Sequence, residues 1–327
     1  GGNIVVSFSA EYDQQKRIKK LVYPDGSAVT QLYSDAGYLR QVRLLAPGGF
    51  FGSPVVTYEG PDLNQQFIRK TGNNVVEKIG YDPATHRPTS LETVLPSSST
   101  IRKLAYDYDG NGNTLSIADI LSAGANTETF TYDGLNRVTE AFGAYGTKAY
   151  AHDARGRLTT KDNAVQSFSD INHPEAVTSG VEGAYAYDTN GNMTQRLGRQ
   201  HLYNAENRLK EIKSAGITKQ TFIYDYSGAR AIKTRDDGAK VYYFGGLKNY
   251  GALYEIAVAP GSPAPQHTKY IYGINSDRAA QVTVPNVNLI AFNVNANTVL
   301  ASIQSWKSAT GIAMKIGYTF SGYAMNF

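Results

Sequence analysis

The chain has 327 residues and a formal net charge of +4, and it contains 24 Tyr, 32 Gly and no Cys. Without cysteine it can form neither disulfides nor a cysteine-ligated zinc site, and so small and scattered a charge does not predict nucleic acid as a partner. No apolar run of about 18 residues predicts a transmembrane segment. The abundance of Tyr and Gly favours β-strands joined by many turns.

A seven-residue phrase recurs nine times between residues 12 and 231. We number the positions of the phrase from its aromatic residue as zero, so that the fourth position lies four residues after it. The aromatic position is held by Tyr12, Tyr33, Tyr81, Tyr108, Tyr132, His152, Tyr187, Tyr203 and Tyr224. The next residue is Asp13, Asp82, Asp109, Asp133, Asp153, Asp188 or Asp225, with Ser34 and Asn204 as exceptions. Four residues after the aromatic come Gly37, Gly112, Asn136, Gly156, Gly191, Asn207 and Gly228, with Lys16 and Thr85 as exceptions. Nine equivalent copies predict a repeat architecture, because a catalytic loop would be needed only once.

The phrase is typical of a β-hairpin turn. A strand would end on the aromatic residue, Asp would cap the turn, Gly or Asn would take the position with positive φ, and the next strand would begin on an apolar residue. Segments between copies, such as 127–132 and 219–224, alternate with the period of two that strands require. Because a single hairpin is marginally stable, each copy must be covered by the next. The sequence therefore predicts an all-β fold of repeated antiparallel hairpins, in one twisted sheet that spirals around an interior lined by the phrase tyrosines.

The character of the chain changes after the last copy. The Pro-rich stretch 259–265 predicts a loop, and 269–273 predicts a strand. Beyond Pro285, Asn297 or Thr298 is placed to cap a short helix ending near Gly311, and 316–327 is strand-like. We therefore divide the chain into a repeat region, 1–283, and a distinct C-terminal segment with a short helix and a strand, 284–327.

The phrases YDGLNRVTEA (132–141), YDTNGNMTQR (187–196) and YNAENRLKEI (203–212) resemble the YD-repeat, or Rhs, superfamily. That superfamily includes bacterial polymorphic toxins, the C component of insecticidal Tc toxin complexes and teneurins, and the resemblance covers roughly residues 10–283. It implies a hollow β-shell that often encloses a C-terminal toxic segment, and the chain is short enough to supply one section of such a shell. Bacterial members cut before the toxin with an aspartyl protease-like site. The resemblance implies a cleavage signature of the type Asp-Pro-x-Gly. The only Asp-Pro pair here is Asp82-Pro83, inside a repeat, so autoproteolysis is not inferred from the resemblance.

The sequence offers little for catalysis or cofactor binding. Each Asp of the phrase has a structural role as a turn cap, and the five His residues form no close pair. Asp107, Asp109 and Asn111 match the first half of a calcium-binding EF-hand loop, but Ala118 stands where the bidentate Glu is required. The segment 284–327 contains no Asp, Glu, His or Cys. We predict no catalytic residue, no cofactor and only this weak calcium candidate.

Three functional hypotheses follow. The first is a non-enzymatic scaffold of a secreted or bacterial cell-surface system, whose partner is an enclosed toxin or cargo segment or a further YD-repeat chain. The second is a surface adhesion module that binds a glycan or a protein receptor, with Tyr38, Tyr145 and Tyr250 as candidate contact residues. The third is a fragment of a polymorphic toxin with its activity in or beyond 284–327.

Overall fold

A computed structural model describes residues 6–60, 66–245, 252–262, 264–273, 278–284, 306–307 and 313–314. These residues form strands and turns, with no helix among them, which confirms the all-β prediction. The first half of the described chain contains β1 Ser9–Tyr12, β2 Ile18–Val22, β3 Ala28–Tyr33, β4 Leu39–Leu45, β5 Ser53–Glu59, β6 Gln66–Thr71, β7 Val76–Tyr81, β8 Pro88–Val94, β9 Thr100–Tyr108, β10 Thr114–Asp119, β11 Glu128–Tyr132, β12 Val138–Gly143, β13 Gly146–Ala149, β14 Ala151–His152 and β15 Leu158–Lys161. The second half contains β16 Ala164–Val165, β17 Ser179–Gly180, β18 Gly183–Ala184, β19 Ala186–Tyr187, β20 Met193–Arg196, β21 Arg199–Tyr203, β22 Leu209–Ser214, β23 Ile217–Tyr224, β24 Arg230–Arg235, β25 Lys240–Phe244, β26 Tyr254–Val258, β27 Gln266–Tyr272, β28 Arg278–Val284, β29 Trp306–Lys307 and β30 Ala313–Met314.

The chain divides into two compact units. Unit 1 comprises Gly1–Tyr58, Thr71–Asn73 and Ile223–Phe327, and unit 2 comprises Glu59–Lys70 and Asn74–Phe222. In unit 1, β1 to β5 pair in chain order, and so do β24 to β28. In unit 2, β6 to β13 pair in chain order, as do β19 to β23. All of these pairs are antiparallel, as the hairpin interpretation predicts.

The register of the hairpins follows the repeat phrase. The aromatic pairs with the residue six positions later, as in Tyr132 with Val138 and Tyr203 with Leu209, except that Tyr81 pairs with Pro88, seven positions later. A bulge immediately precedes the aromatic in the pairs of Tyr132 and Tyr203, and it shifts the register by one residue. The same offset joins Tyr272 to Arg278. The pairing offset of the phrase therefore also occurs at Tyr272, outside the nine copies.

Unit 2 departs from the prediction of one continuous sheet. One sheet ends at β13, two small sheets are formed by β14–β16 and β17–β18, and another sheet begins at β19. The interruption coincides with residues 151–187, where His152 replaces Tyr and the copy at 168–170 has decayed to Phe-Ser-Asp. Five of the six strands β14 to β19 are only two residues long, so they offer few ladder bonds to continue the sheet.

The two units differ in how much apolar surface they bury. Unit 1 has a core that includes Val42, Val56, Tyr254, Ile256 and Ile271, each with at most 1% of its surface exposed. In the described part of unit 2, the buried hydrophobic residues are Ala141 and Phe222. Unit 2 is therefore held together mainly by contacts between neighbouring strands and turns.

The predicted C-terminal segment falls largely outside the described residues. Its predicted helix over 297–311 is described only at Trp306–Lys307, and these two residues form β29, which pairs antiparallel with β30. The boundary at 283/284 remains a prediction.

Candidate functional site

The repeated Tyr-Asp turns are the feature of the chain that could carry its function. In the copy that begins at Tyr132, Asp133 Oδ1 accepts the backbone N–H groups of Leu135 and Arg137 at 2.9 and 3.0 Å. Oδ2 accepts the Arg137 side chain at 2.7 Å. The Arg137 side chain and backbone lower the pKa of the Asp133 carboxyl to about 2. This turn is therefore organised around an ionised carboxylate.

The same arrangement recurs in the other copies. A side-chain oxygen of the residue directly after the aromatic accepts the backbone N–H groups two and four residues later in the copies with Asp13, Asp109, Asp153, Asp188, Asn204 and Asp225. A hydrogen bond from the side chain at the following fifth position lowers the carboxyl pKa of Asp109, Asp153 and Asp188.

A left-handed residue closes every one of the nine turns. The φ angle at this place ranges from 56° at His86 to 94° at Gly112. His86, and not Thr85, takes it in the third copy, because that turn is one residue longer and the Asp82 N–H bonds to the Arg87 carbonyl. Lys16 takes it in the first copy with φ 60°, although a side chain costs energy in this region.

Three of the phrase tyrosines connect their own copy to the preceding one. The hydroxyls of Tyr33, Tyr132 and Tyr203 donate to the backbone carbonyls of Ile18, Thr114 and Met193 at 3.1, 2.7 and 2.9 Å. In all three cases the acceptor is the carbonyl of the residue at the sixth position of the preceding copy. The rings are half-buried, as expected for a tyrosine that packs its ring and satisfies its hydroxyl. Tyr12 of the first copy is instead 56% exposed.

In several copies the side chain at the fifth position reaches forward to the next turn. The Arg17 guanidinium lies 4.1 Å above the Tyr33 ring and donates to the Gly37 carbonyl at 3.1 Å. Arg87 lies 5.7 Å from the Tyr108 ring. These cation–π contacts stack successive turns on each other.

The fifth and fourth positions of successive copies are matched. An added Cβ at Gly37 would lie 3.1 Å from Arg17 Nη1, and one at Gly112 would lie 2.3 Å from Arg87 Nη2. Glycine in one copy therefore leaves room for the arginine of the preceding copy.

Where the fifth position is Asn, the next copy carries Asn at its fourth position. Asn113 Nδ2 donates to Asn136 Oδ1 at 2.8 Å, and Asn192 Nδ2 donates to Asn207 Oδ1 at 3.0 Å. The four turns thus form two amide-linked pairs, and the matching specifies which copy follows which.

The calcium candidate is occupied by turn contacts. Asp109 Oδ2 accepts the Asn113 side chain at 2.8 Å, and Asn111 Nδ2 donates to Asn136 Oδ1 at 3.1 Å. Asp107 lies within β9. The described residues contain no group of three or more His, Asp or Glu placed to hold a metal ion, and none of them forms a helix long and apolar enough to cross a membrane.

The proposed adhesion residues are dispersed. Tyr38 is 71% exposed and lies in unit 1, whereas Tyr145 is 46% exposed and lies in unit 2. Tyr250 lies outside the described residues.

Sequence reasoning missed a buried polar cluster in unit 1. Lys269 Nζ lies 2.8 Å from Asp25 Oδ2 and 2.5 Å from Ser27 Oγ, and the two charged side chains are 5% and 9% exposed. His267 is fully buried beside Tyr254, with 3.1 Å between its Nδ1 and the hydroxyl. The available signal was the short turn Tyr23-Pro24-Asp25-Gly26. In this turn the glycine follows the tyrosine by three residues, and in the phrase it follows by four.

Comparison with known proteins decides the family. A family model described as teneurin YD-shell matches residues 55–249, more than half of the chain. The chain belongs to the teneurin YD-shell family. This confirms the resemblance drawn from the phrases at 132–141, 187–196 and 203–212. No curated protein sequence matches the chain.

Solved structures show the same YD-shell fold. A chain in the structure of the Photorhabdus luminescens Tc holotoxin pore aligns with a TM-score of 0.63 at 18% identity, over 81% of this chain and 15% of that one. A crystal structure of TcdB2-TccC3 with Cdc42 gives 0.64 at 17% identity, over 81% and 15%. TcdB2-TccC3 without its hypervariable C-terminal region gives 0.64 at 18% identity, over 94% and 17%. The YD-shell chain described here spans only about one sixth of the length of these proteins.

Proposed function

We propose that the chain is a non-enzymatic wall section of a YD shell in a secreted or cell-surface system, and that the wall encloses a toxin or other cargo segment. The observation that carries the proposal is the stacking of successive turns through the tyrosine hydroxyl and the fifth-position side chain. This stacking extends a sheet strand by strand, and it requires no core on either face. A thin, extensible sheet is the element from which an enclosing wall can be built.

The apolar side chains that unit 2 leaves exposed support enclosure. Ile101 and Phe142 lie in strands and are 56% and 51% exposed. Large exposed apolar surfaces mark contact sites, and an enclosed, incompletely folded segment would cover them. By contrast, the seven Asp residues of the turns all serve as turn caps, so none is specialised for acid–base chemistry.

Protease protection tests the proposal on the protein as its own gene encodes it. Peptides outside 1–283 should survive trypsin while the wall is folded, and they should be digested at the rate of unfolded chain once urea opens the wall. Mass spectrometry identifies the surviving peptides. Equal digestion of those peptides with and without urea would show that nothing is enclosed.

Adhesion is the second candidate, and the exposed aromatics of unit 1 favour it. Tyr38 occupies the fifth position of its copy, where most other copies place Arg or Asn, and Phe50 and Phe51 are each 93% exposed in the β4–β5 loop. Glycan-array or cell binding that is lost in Tyr38→Ser but kept in Tyr145→Ser would favour adhesion over enclosure. The third candidate, activity within 284–327, concerns residues that lie almost entirely outside the described part of the chain.

A further inference from the structure

The buried polar cluster of unit 1 joins strands that are far apart in the sequence. Asp25 lies in the β2–β3 turn and Lys269 lies on β27, 244 residues away. A second connection is made by the Tyr23 hydroxyl, which donates to the Tyr270 carbonyl at 2.7 Å. We call the residues of this junction the seam; they are Tyr23, Asp25, Ser27, Tyr254, His267 and Lys269. The seam holds the N-terminal hairpin of unit 1 against its C-terminal strands.

The seam contains one ion pair, between Lys269 and Asp25. At neutral pH, Lys269 is the cation and Asp25 is the anion, and Ser27 Oγ bonds to both, at 2.5 Å to Nζ and 2.6 Å to Oδ1. A buried ion pair is stable only while both partners are charged and hydrogen-bonded. A further charge placed beside the pair would therefore lack a counterion.

His267 is placed to introduce that charge. It precedes Lys269 by two residues on β27, so both side chains project from the same face of the strand. Its Nε2 atom is buried and contacts no hydrogen-bond partner in the described part of the chain. Burial lowers the pKa of His267, and the Asp25 charge opposes this effect only in part. The ring is therefore neutral at pH 7, and its protonation would place two cations beside one carboxylate.

The other titratable groups around β27 do not supply a second anion at this face. On β26, Tyr254 faces His267, and burial raises the pKa of its hydroxyl, which stays neutral. Glu255 accepts a hydrogen bond from Tyr270. Tyr270, with Arg278 of β28 at 4.1 Å from its ring, projects from the opposite face of β27. The residue of β28 that pairs with His267 is the apolar Val284.

We propose that the seam is an acid-sensitive latch, closed at neutral pH and opened by protonation of His267 as the pH falls below about 6.5. Acid favours the opened form because the two forms differ in proton uptake. The closed form holds the imidazole neutral, whereas the opened form takes up a proton near the ordinary pKa of about 6.5. The biological consequence, release of what the wall encloses, rests on the proposed function. The opening itself is a property of unit 1.

Hydrogen exchange of the full chain without cargo tests the latch. After correction for the intrinsic exchange rate, peptides covering 23–33 and 266–272 should lose about tenfold in protection between pH 7.5 and pH 5.5. Tenfold is the largest loss that the uptake of one proton can cause over the pH unit below about 6.5. His267→Gln retains a partner for the Tyr254 hydroxyl but cannot be protonated, and its protection should change less than about twofold. His201→Gln is the matched control, because burial also lowers the pKa of His201, in unit 2; it should keep the wild-type response.

A second variant should reverse the effect of acid on the hydrogen-exchange protection of the seam. In Lys269→Met the protonated His267 becomes the counterion of Asp25, so acid should increase protection of the seam. Equal protection of the wild type at the two pH values would overturn the latch, and so would an equal acid loss in wild type and His267→Gln. Because no cargo is present, these results are independent of enclosure. An acid response without cargo protection would reject only the proposed function, and cargo protection without an acid response would reject only the latch.

Discussion

Replacing Gly112 by alanine tests whether each turn must leave room for the preceding copy. The residue has φ +94°, and an added Cβ would lie 2.3 Å from Nη2 of Arg87. A left-handed alanine costs about 1–2 kcal/mol, and the lower entropy of the unfolded chain returns about 0.4–1 kcal/mol. Displacing Arg87 from the Tyr108 ring removes a cation–π contact worth about 0.5–1 kcal/mol. We therefore expect Gly112→Ala to destabilise the chain by about 1–2 kcal/mol.

Urea unfolding followed by far-ultraviolet circular dichroism measures this loss, provided that the dependence on urea is unchanged. Gly110→Ala is the control in the same turn, because its added Cβ would meet nothing within 4 Å and its φ is not positive; its stability should stay within about 0.5 kcal/mol of wild type. In a double-mutant cycle, Arg87→Ala should recover at least about 0.5 kcal/mol of the Gly112→Ala loss. Equal stability of the two alanine variants would refute the argument that stacking constrains the fourth position.

Three further predictions concern other contacts of the turns. Lys16→Asn should stabilise the chain by about 0.5–1 kcal/mol, since asparagine tolerates φ 60° better than lysine; an unchanged urea midpoint would contradict this. Tyr203→Phe should cost about 1 kcal/mol, because it removes the hydroxyl that donates to the Met193 carbonyl. The hydroxyl of Tyr12 has no acceptor among the described residues, so Tyr12→Phe should unfold at the wild-type urea concentration. The stabilisation from Asp133, whose pKa is lowered from 3.8 to about 2, is fully present above pH 3.8 and is lost as the pH falls through 2; Asp133→Asn should therefore flatten the acid limb of a melting-temperature profile over that window.

The turns could be predicted from the sequence because their contacts are local. Asp133 bonds to backbone groups two and four residues later, and the left-handed position lies within the same seven residues, so composition and spacing reveal the geometry. The same locality explains the error at Thr85, since a single inserted residue moved the left-handed position to His86 without changing the surrounding phrase.

Contacts between copies were less accessible to sequence reasoning. The matching of Arg17 with Gly37 and of Asn113 with Asn136 depends on which turn stacks on which, and that follows only from the strand order. The seam was missed because Asp25 and Lys269 are 244 residues apart and neither belongs to an intact phrase. Nothing in a single sequence relates a buried lysine to a carboxylate at that distance.

The two kinds of contact give the two units different responses to damage. In unit 2 each copy depends on its neighbours, so the loss of one turn should weaken adjacent strands and leave distant ones folded, as in other repeat proteins. In unit 1 the seam closes a long loop, and its contacts form only after both ends of the unit are in place. A change at Lys269 should therefore release β2 and β3 together with β26 and β27, whereas a change at Gly112 should remain confined to its own and the adjoining turns. Local stacking explains how the sheet is extended, and the seam is the place where a single protonation could act on strands from both ends of unit 1.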